Sequence, residues 1–340
     1  MVAASLTEAT APRRAALLRL LADGRFHSGA TLARQLDVSR TTIWKQVREL
    51  EHWGLETHSV PRRGYRLARA LDLLDAAVIR AGLPASTAAA LRSLQVADEL
   101  PSTNAALLAV ADLPPGRFDL CVAEFQTAGR GRRGRSWVAP YGSGICLSFS
   151  WLFREAPPQL PALSLVVGVA ILRALAHLGL AGAALKWPND VLFEGRKLGG
   201  ILCELRAEAA GPAYLVIGIG LNVGLPPAAR SAIVASGLAP ADLAELAGEA
   251  LPSRSHLVAA IAAALHEVVQ QFEQGALPAL LEEWRRADAL LGRSVQVLAP
   301  QGARTGVARG VTADGALDVE FAEGRERIVS GEVSLRPVGA

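Results

Sequence analysis

The chain has 340 residues, of which 51% are hydrophobic and 20% charged, and this composition indicates a globular protein with room for two or three domains. Its three cysteines, Cys121, Cys146 and Cys203, lie in apolar runs without metal-ligand or Cys-x-x-Cys spacing, which argues against a disulfide framework and favours a reduced, cytoplasmic setting. The net charge of +3 hides an asymmetry: residues 1–70 hold 12 Lys and Arg against 6 Asp and Glu, a net +6 that favours a nucleic-acid partner.

The N-terminal part has the pattern of a winged helix-turn-helix. Helices are predicted from Pro12 to Ala22, from Ser28 to Leu36, and from a cap at Ser39 to Gly54, and a basic hairpin follows as the wing. The alternative is a helical protein-interaction module, against which the wing and the local positive charge argue. The residues predicted to face DNA are Arg40, Thr41, Thr42, Lys45, Arg48, Arg62 and Arg63.

A connector follows the wing. One helix is predicted from Asp72 to Ala81, and Gly82-Leu-Pro-Ala-Ser-Thr ends it. From Leu91 the pattern changes to strands and helices, with a strand before Leu100. Ser102-Thr103-Asn104 then begins a helix, either as an ordinary cap or as a set of N–H donors and hydroxyls that binds a polar ligand head.

Four arginines and three glycines follow one another in Gly129-Arg-Gly-Arg-Arg-Gly-Arg135, between predicted buried strands at Asp119–Phe125 and Ile145–Leu152. Glycines let backbone N–H groups approach an anion, and guanidinium groups bind phosphate oxygens. The letters also satisfy Gly-x-Gly-x-x-Gly, but a dinucleotide-binding fold needs a helix directly afterwards, and Pro140 and Gly142 prevent one. We therefore predict an anion-binding loop, with a solvated basic loop or a nucleic-acid patch as the alternative.

An apolar stretch runs from Leu160 to Leu185. Arg173 and His177 interrupt it, and the arginine alone would cost roughly 2.5 to 3.5 kcal/mol in a bilayer. We therefore predict a buried helix from Leu163 to Leu178 and no membrane partner.

Three further segments place polar groups beside turns or glycines: Lys186-Trp-Pro-Asn-Asp190, Lys197-Leu-Gly-Gly-Ile201 and Gly218-Ile-Gly-Leu-Asn222. Asn189-Asp190 suits a turn, and the other two segments lie in predicted strands. Glycine weakens a strand, so such positions usually mark a bulge or the close approach of a ligand. Together they predict a smooth glycine floor with a polar group at its edge.

The C-terminal third is predicted as three helices, at residues 240–250, 255–274 and 277–286, followed by short strands with turns at Asp314-Gly315 and Glu323-Gly324. Such closely spaced strands are typical of a small β-barrel. The predicted fold class is α+β, with domains at residues 1–68, 96–288 and 289–340 and a connector at 69–95.

These motifs, in this order, resemble those of the biotin protein ligases that double as biotin operon repressors. The most specific are Gln126-Thr-Ala-Gly-Arg-Gly-Arg-Arg-Gly-Arg-Ser-Trp137 and the three segments named above. The resemblance implies a winged helix-turn-helix, a central mixed-sheet domain like that of class II aminoacyl-tRNA synthetases, and a C-terminal SH3-like barrel. It also implies that biotin and ATP give biotinyl-5′-AMP, and that a lysine of the biotin carboxyl carrier protein of acetyl-CoA carboxylase then takes the biotinyl group.

The same resemblance implies roles for single residues. The expected catalytic residues are Lys197 between biotin carboxylate and phosphate, Arg132 closing over the adenylate, and Asp190 orienting the incoming amine. No metal ligand is assigned, and Mg²⁺ would accompany ATP. The residues expected to bind biotin are Ser102, Thr103, Asn104, Gln126, Gly129, Arg130, Gly131, Arg132, Lys197, Gly199 and Gly200. Those expected to bind ATP or the adenylate are Arg130, Arg132, Arg135, Trp137, Lys186, Asn189 and Asn222.

Two other functions stay open. One is a transcription regulator that only senses a ligand, against which Lys197 and the arginine loop argue. The other is a lipoate or octanoate ligase, which uses a related catalytic fold.

As a repressor the protein would bind operator DNA as a homodimer that biotinyl-AMP promotes.

Overall fold

The computed structural model describes residues 14–110, 112–207, 211–235, 239–299, 302–329 and 332–335. Its N-terminal part is a winged helix-turn-helix, as predicted. The elements are α1 (14–21), α2 (Gly29–Gln35), α3 (Arg40–Glu49), β1 (Thr57–Val60) and β2 (Gly64–Leu67). The start predicted at Pro12 lies outside the described residues. The hydroxyls of Ser28 and Ser39 accept hydrogen bonds from the first turns of α2 and α3, which fixes both helix starts.

A seven-stranded mixed sheet forms the central domain, in the order β3-β4-β5-β9-β8-β7-β6. The strands are β3 (Leu91–Leu100), β4 (Phe118–Gln126), β5 (Gly144–Phe153), β6 (Ala183–Lys186), β7 (Asp190–Phe193), β8 (Arg196–Ala207) and β9 (Ala213–Asn222). β3 begins at Leu91, within the range expected to be connector. Only β3 and β4 are parallel, and Leu100 pairs with Gln126, so the segments that follow both strands begin at one edge of the sheet.

Helices cover the sheet and fill the connector: α4 (Ala76–Ala81), α5 (Ala85–Ala90), α6 (Thr103–Leu108), α7 (Leu163–His177), α8 (Pro227–Ala235), α9 (Leu243–Ala247), α10 (Arg254–Glu273) and α11 (Leu277–Arg286). Two sequence predictions are corrected here. α4 begins after Asp75, whose carboxylate caps it, and not at Asp72. The stretch expected only to break that helix contains α5, and α8 was not predicted.

The apolar helix α7 lies in the core, as predicted. In the part of the chain that the structure describes, residues Leu160–His177 are the one helical stretch long and apolar enough to cross a membrane, and 61% of that window is buried inside the protein. Arg173, near its middle, donates to the carboxylates of Glu267 and Glu283 on α10 and α11. α7 is therefore held between these two helices by an ion-pair network as well as by apolar packing.

The winged domain contacts the central domain through an aromatic stack. The rings of Trp53 and Tyr141 are 5.0 Å apart and inclined by 6°. The Tyr141 N–H donates to the Trp53 carbonyl at 3.0 Å, and its hydroxyl donates to Asp98 at 3.0 Å. Tyr141 lies only four residues after Trp137, so this contact joins the winged domain to the segment that follows the arginine loop.

The C-terminal domain is a five-stranded antiparallel sheet in the order β13-β12-β11-β10-β14. Its strands are β10 (Ser294–Ala299), β11 (Gly302–Val311), β12 (Leu317–Phe321), β13 (Gly324–Ile328) and β14 (Glu332–Leu335). As predicted, the chain turns at Asp314-Gly315 between β11 and β12, and at Glu323-Gly324, where β13 begins. No ladder between β13 and β14 closes the sheet among the residues that the structure describes. The Trp187 indole N–H donates to the Gly315 carbonyl at 3.1 Å, which ties this sheet to the central domain.

Candidate active site

A cavity of about 410 Å³ lies between the arginine loop, the ends of β3 and β4, and the glycine-rich strands β8 and β9. Most residues predicted to bind biotin or ATP line it: Ser102, Thr103, Asn104, Gln126, Arg130, Gly131, Arg132, Arg135, Trp137, Lys186, Asn189, Lys197, Gly200 and Asn222. Asp190 lines it as well. The cavity therefore joins segments that are far apart in the sequence, from Ser102 to Leu298.

Two of the predicted residues are not among those that line this cavity. Gly129 lines an adjoining groove between the loop and β8. Gly199 faces β9, where a Cβ would overlap the side chain of Leu221. The missing side chain at Gly199 therefore serves the packing of one strand on another, which corrects the expectation that it leaves room for a ligand.

The ends of the parallel strands β3 and β4 bring polar groups to one end of the cavity. Ser102 caps α6, its hydroxyl accepting from the Ala105 N–H at 3.4 Å. The Thr103 N–H donates to Gln126 Oε1 at 2.8 Å. Ser102, Thr103 and Asn104 are each 4% exposed. Ser102 is thus engaged as a cap, while Thr103 and Asn104 belong to a buried hydrogen-bond network.

Asn104 is the centre of that network. Its Nδ2 donates to the Glu204 carboxylate at 2.7 Å and to the Leu202 carbonyl at 3.3 Å, and its Oδ1 accepts from the Ser148 hydroxyl. Gly218 makes room for it, because a Cβ there would overlap the Asn104 amide. Ser148 and Glu204 belong to no motif. Strand pairing places Ser148 opposite Gly218, but Glu204 lies opposite Val216 and is recognised only by its contact with Asn104.

Trp137 covers the second glycine of the floor. A Cβ at Gly220 would overlap its indole ring, and its backbone N–H donates to the Gly129 carbonyl at 2.9 Å. The prediction of a bare glycine floor is therefore corrected. Asn104 fills the space above Gly218 and Trp137 the space above Gly220, so the glycines position a polar group and an apolar wall.

The arginine loop is a compact hairpin. The Gly131 N–H donates to the Arg135 carbonyl at 2.7 Å, and Arg133 and Gly134 turn the chain with φ values of +56° and +74°. A single turn of 3-10 helix at 132–134 is the only helical structure in it. This geometry confirms that the loop does not begin the helix of a dinucleotide-binding fold.

Two loop arginines contact the strands across the cavity. Arg130 donates to the Glu204 carboxylate at 3.1 Å, and Arg132 donates to Asn189 Oδ1 at 3.3 Å. Arg133 and Arg135 also line the cavity. The loop therefore brings several guanidinium groups to one side of a partly enclosed space, where they can neutralise phosphate oxygens.

Asp190 lies between two lysines on the opposite side. Its Oδ1 is 2.6 Å from Lys197 Nζ and its Oδ2 is 3.3 Å from Lys186 Nζ. Strand pairing explains the arrangement, because β7 pairs Asp190 with Lys186 on one side and with Gly200 on the other. Lys186, which was expected to bind ATP or the adenylate, contacts this carboxylate. One carboxylate facing two ammonium groups leaves the region with net positive charge.

Asn189 and Asn222 hold the strand ends together. Asn189 Nδ2 donates to the Ile201 carbonyl at 2.8 Å, and Asn222 Nδ2 donates to the Ala241 carbonyl at 2.9 Å. The Asn222 oxygen can accept from a ligand or contact a cation, whereas Asn189 Oδ1 accepts from Arg132. No group of three His, Cys, Asp or Glu that could hold a metal exists within the described ranges. Mg²⁺ usually keeps several waters and is bound largely through substrate phosphates, so it would need few protein ligands here.

The three cysteines take no part in this chemistry. All are free thiols. Burial raises the pKa of Cys121 and Cys203 to about 12 and that of Cys146 to about 11. They remain protonated near neutral pH and pack as apolar side chains.

A second candidate surface is the exposed face of α3. Arg40, Thr41, Lys45 and Arg48 are exposed, as a DNA-reading face requires. Trp44, which no motif indicated, stands 46% exposed among them, with the Arg48 guanidinium 5.1 Å from its ring.

The other residues predicted to face DNA differ in how exposed they are. Thr42 is half-buried, and its hydroxyl is hydrogen-bonded to Ser39 at 2.9 Å. Arg62 and Arg63 lie at the tip of the wing, where the Arg63 guanidinium stacks over Phe26 at 4.4 Å. Thr42 therefore belongs to the cap of α3, while the wing arginines remain at the surface.

Comparison with known proteins covers nearly the whole chain. Residues 98–222 match the biotin/lipoate A/B protein ligase family, residues 13–66 match an HTH domain, and residues 290–336 match the biotin protein ligase C terminal domain. The bifunctional ligase/repressor BirA of Salmonella typhimurium is 36% identical over 321 residues, 94% of this chain and 96% of that protein. BirA of Bacillus subtilis is 30% identical over 319 residues, 92% of this chain and 95% of that protein.

A solved structure shares the architecture of most of this chain. The biotin protein ligase of Aquifex aeolicus, in complex with biotin and ATP, is 29% identical with a TM-score of 0.57. The match covers 72% of this chain and 98% of that chain.

Proposed function

The chain belongs to the family of bifunctional biotin protein ligases and biotin operon repressors, and from this premise we propose how its own residues act. It is an ATP-dependent biotin protein ligase that forms biotinyl-5′-AMP and passes the biotinyl group to a lysine of a biotin carboxyl carrier protein in the cytoplasm. One observation carries the proposal. A single cavity has a buried polar network around Asn104 at one end, and lysines and arginines at the other.

Biotin would occupy the end near α6. A cyclic urea has N–H donors and a C=O acceptor side by side. Thr103, Asn104 and Gln126 supply hydrogen-bonding groups of the kind that such a ligand requires. Trp137 and Ile219 supply apolar surface along the same cavity. A site built this way discriminates against an acyl chain that lacks the urea, because its buried polar groups would be left without partners.

In the first half-reaction, the biotin carboxylate attacks the α-phosphorus of ATP and pyrophosphate leaves. Two anions must meet, so the main task of the protein is to neutralise and position them. Lys197, which Asp190 holds at 2.6 Å, places its positive charge where the carboxylate and the phosphate react. Arg132 lines the same cavity from the loop side. Mg²⁺ bound to the phosphates would add charge neutralisation on the pyrophosphate.

In the second half-reaction, the amine of the carrier lysine attacks the biotinyl carbonyl and AMP leaves. Asp190 can accept a hydrogen bond from that amine once Lys197 has turned to the adenylate. The arginine loop keeps water from the mixed anhydride until the carrier protein arrives. Both roles follow from one arrangement, in which the loop and the Lys-Asp-Lys cluster face each other across the cavity.

The chain is also a repressor of biotin synthesis genes, acting through its winged helix-turn-helix. We propose that two copies bind a pseudo-palindromic operator, since one recognition helix offers few base contacts. Biotinyl-AMP would promote this dimer by ordering the arginine loop, which lowers the entropic cost of pairing. Sedimentation velocity and gel shifts, with and without a non-hydrolysable adenylate analogue, test it. A monomer in both states would contradict this mode of repression.

The ligase is tested by incubating the protein with ATP, Mg²⁺, biotin and a carrier domain, followed by a streptavidin blot. We expect biotin on one lysine of the carrier with the wild type and almost none with Lys197→Met. Lipoate in place of biotin distinguishes the related lipoate ligase activity. Absence of labelling by the wild type would leave a protein that only senses its ligand.

A further inference from the structure

A continuous chain of hydrogen bonds runs through the pocket, and two of its members have no assigned role. From the floor outward it passes through Thr103, Ser148, Asn104 and Glu204, and it ends at Arg130 of the loop. Ser148 is fully buried and the Glu204 side chain is 25% exposed. The chain therefore lies mostly out of water, where each donor needs an acceptor.

The number of available protons determines which group donates in each of these hydrogen bonds. The Glu204 carboxylate and the Leu202 carbonyl can only accept, so both hold Nδ2 of Asn104 and turn its Oδ1 toward Ser148. Ser148 has one hydroxyl proton, which must go to that Oδ1. The Thr103 hydroxyl has two acceptors within reach, Ser148 Oγ at 2.7 Å and Gln126 Oε1 at 3.2 Å, and the shorter contact is a hydrogen bond only when Thr103 donates to Ser148. Thr103 is left with lone pairs for a ligand N–H.

We propose that Glu204, acting through Asn104 and Ser148, is the positioning residue that makes Thr103 an acceptor toward the ligand. The inference rests on the proposed function, because the matching ligand group is an N–H of the biotin urea. Without an acceptor at position 204, the Asn104 amide can turn over and the whole chain can reverse. Ser148 would then donate to Thr103, and only the longer 3.2 Å contact with Gln126 Oε1 would keep the Thr103 proton away from a ligand N–H that needs a lone pair.

Arg130 supports the same assignment. It donates to Oε2 of Glu204, the oxygen that also accepts from Asn104. A guanidinium cannot accept, so it holds an acceptor at that position. The first arginine of the loop and the floor of the pocket therefore share one anchoring oxygen.

The test compares three variants that differ in what they leave in the chain. Glu204→Met keeps the volume and removes the acceptor, whereas Glu204→Gln keeps an oxygen that can meet both Asn104 and Arg130. Ser148→Ala breaks the chain at another link and leaves Glu204 intact. Glu194→Met, in the exposed turn before β8, is the control for loss of a carboxylate.

Two quantities are measured: the Kd for biotin by calorimetry without ATP, and the ratio of that Kd to those of the two mono-N-methyl biotins. We expect Glu204→Met and Ser148→Ala to weaken biotin binding roughly 10- to 100-fold, because the first removes a charge-assisted acceptor and the second leaves buried polar groups without a partner. They should also reduce the discrimination against N-methylation. At saturating biotin both variants should lose less adenylation than Lys197→Met, which removes the charge at the reacting centre. Glu204→Gln and the control should bind within a few-fold of the wild type.

The outcomes separate this inference from the proposed function. If the wild type binds and adenylates biotin while a folded Glu204→Met variant keeps both its Kd and its N-methyl discrimination, the directing role is wrong. Equal losses in Glu204→Met and Glu204→Gln would also overturn it, since charge and not an acceptor would then matter. If Glu204→Met does not fold, Ser148→Ala decides by the same two measurements. A wild type that does not adenylate biotin would refute the proposed function itself.

Discussion

The pair formed by Asp190 and Lys197 allows the most detailed prediction about catalysis. Nζ and Oδ1 are 2.6 Å apart, and the side chains are only 17% and 26% exposed, so water screens the pair incompletely. Removing one preorganised charge at a reacting centre costs a factor of roughly 10² to 10³ in rate. We expect Lys197→Met to lose that factor in adenylation.

Asp190→Asn should cost less, because the lysine keeps its charge and loses only its anchor. A hydrogen bond to a charged group contributes about 1.5 to 3 kcal/mol, which corresponds to a rate loss of roughly 10- to 100-fold. The double variant should be no slower than Lys197→Met alone, since Asp190 acts in this step through Lys197. Lys186→Met, which leaves the 2.6 Å pair in place, is the matched control and should lose the least.

The assay is single-turnover formation of biotinyl-AMP from labelled ATP, with transfer from preformed biotinyl-AMP measured separately. Folding is checked by thermal melts. Multiplying losses in the double variant would show that Asp190 does not act through Lys197. Adenylation by Lys197→Met within a few-fold of the wild type would refute the role of the lysine.

Three other changes test the rest of the account. Arg132→Gly should release biotinyl-AMP, and mass spectrometry of added albumin should then show random biotinylation above the wild-type background. The Arg254 guanidinium lies 2.5 Å from the carboxylate of Glu124, which is 3% exposed. Arg254→Met leaves that carboxylate as a buried unpaired charge and should lower the free energy of unfolding by roughly 3 to 5 kcal/mol in denaturant melts. A loss below about 1 kcal/mol would contradict this cause. Burial raises the pKa of Asp288 from 3.8 to about 6, so the folded state loses stability as pH rises from about 4 to 6 and stays less stable above that range. Asp288→Asn should therefore stabilise the protein by roughly 1 to 3 kcal/mol at pH 8 and little at pH 4, and an equal gain at both pH values would contradict the cause.

Local signals in the sequence were sufficient for much of the fold. The cap Ser39 predicted the start of α3, and Leu277–Arg286 was predicted with its observed bounds. The helix predicted from Ser28 is α2, and Ser28 caps it. α5 was missed because Pro84 and the Ser-Thr pair after it are typical of a break. Tertiary packing decides in its favour, since Thr87 on α5 contacts His266 on α10 at 3.3 Å.

The site was predictable as a set of motifs and less so as a geometry. Glycines in β8 and β9 indicated close approach, but the sequence could not show that Asn104 and Trp137 are the groups that approach Gly218 and Gly220. The role of Glu204 could not be predicted from the sequence for a different reason. Its role depends on a contact with a residue 100 positions away, which no local pattern encodes.

Biotin-dependent exchange of labelled pyrophosphate into ATP tests the central claim most directly, because it reports the adenylation step without any carrier protein. The wild type should catalyse exchange when biotin and Mg²⁺ are present, should show only background with lipoate or octanoate, and should lose exchange in Lys197→Met. Exchange supported by lipoate and not by biotin, or no exchange with either acid, would contradict the assignment of this cavity to biotin adenylation.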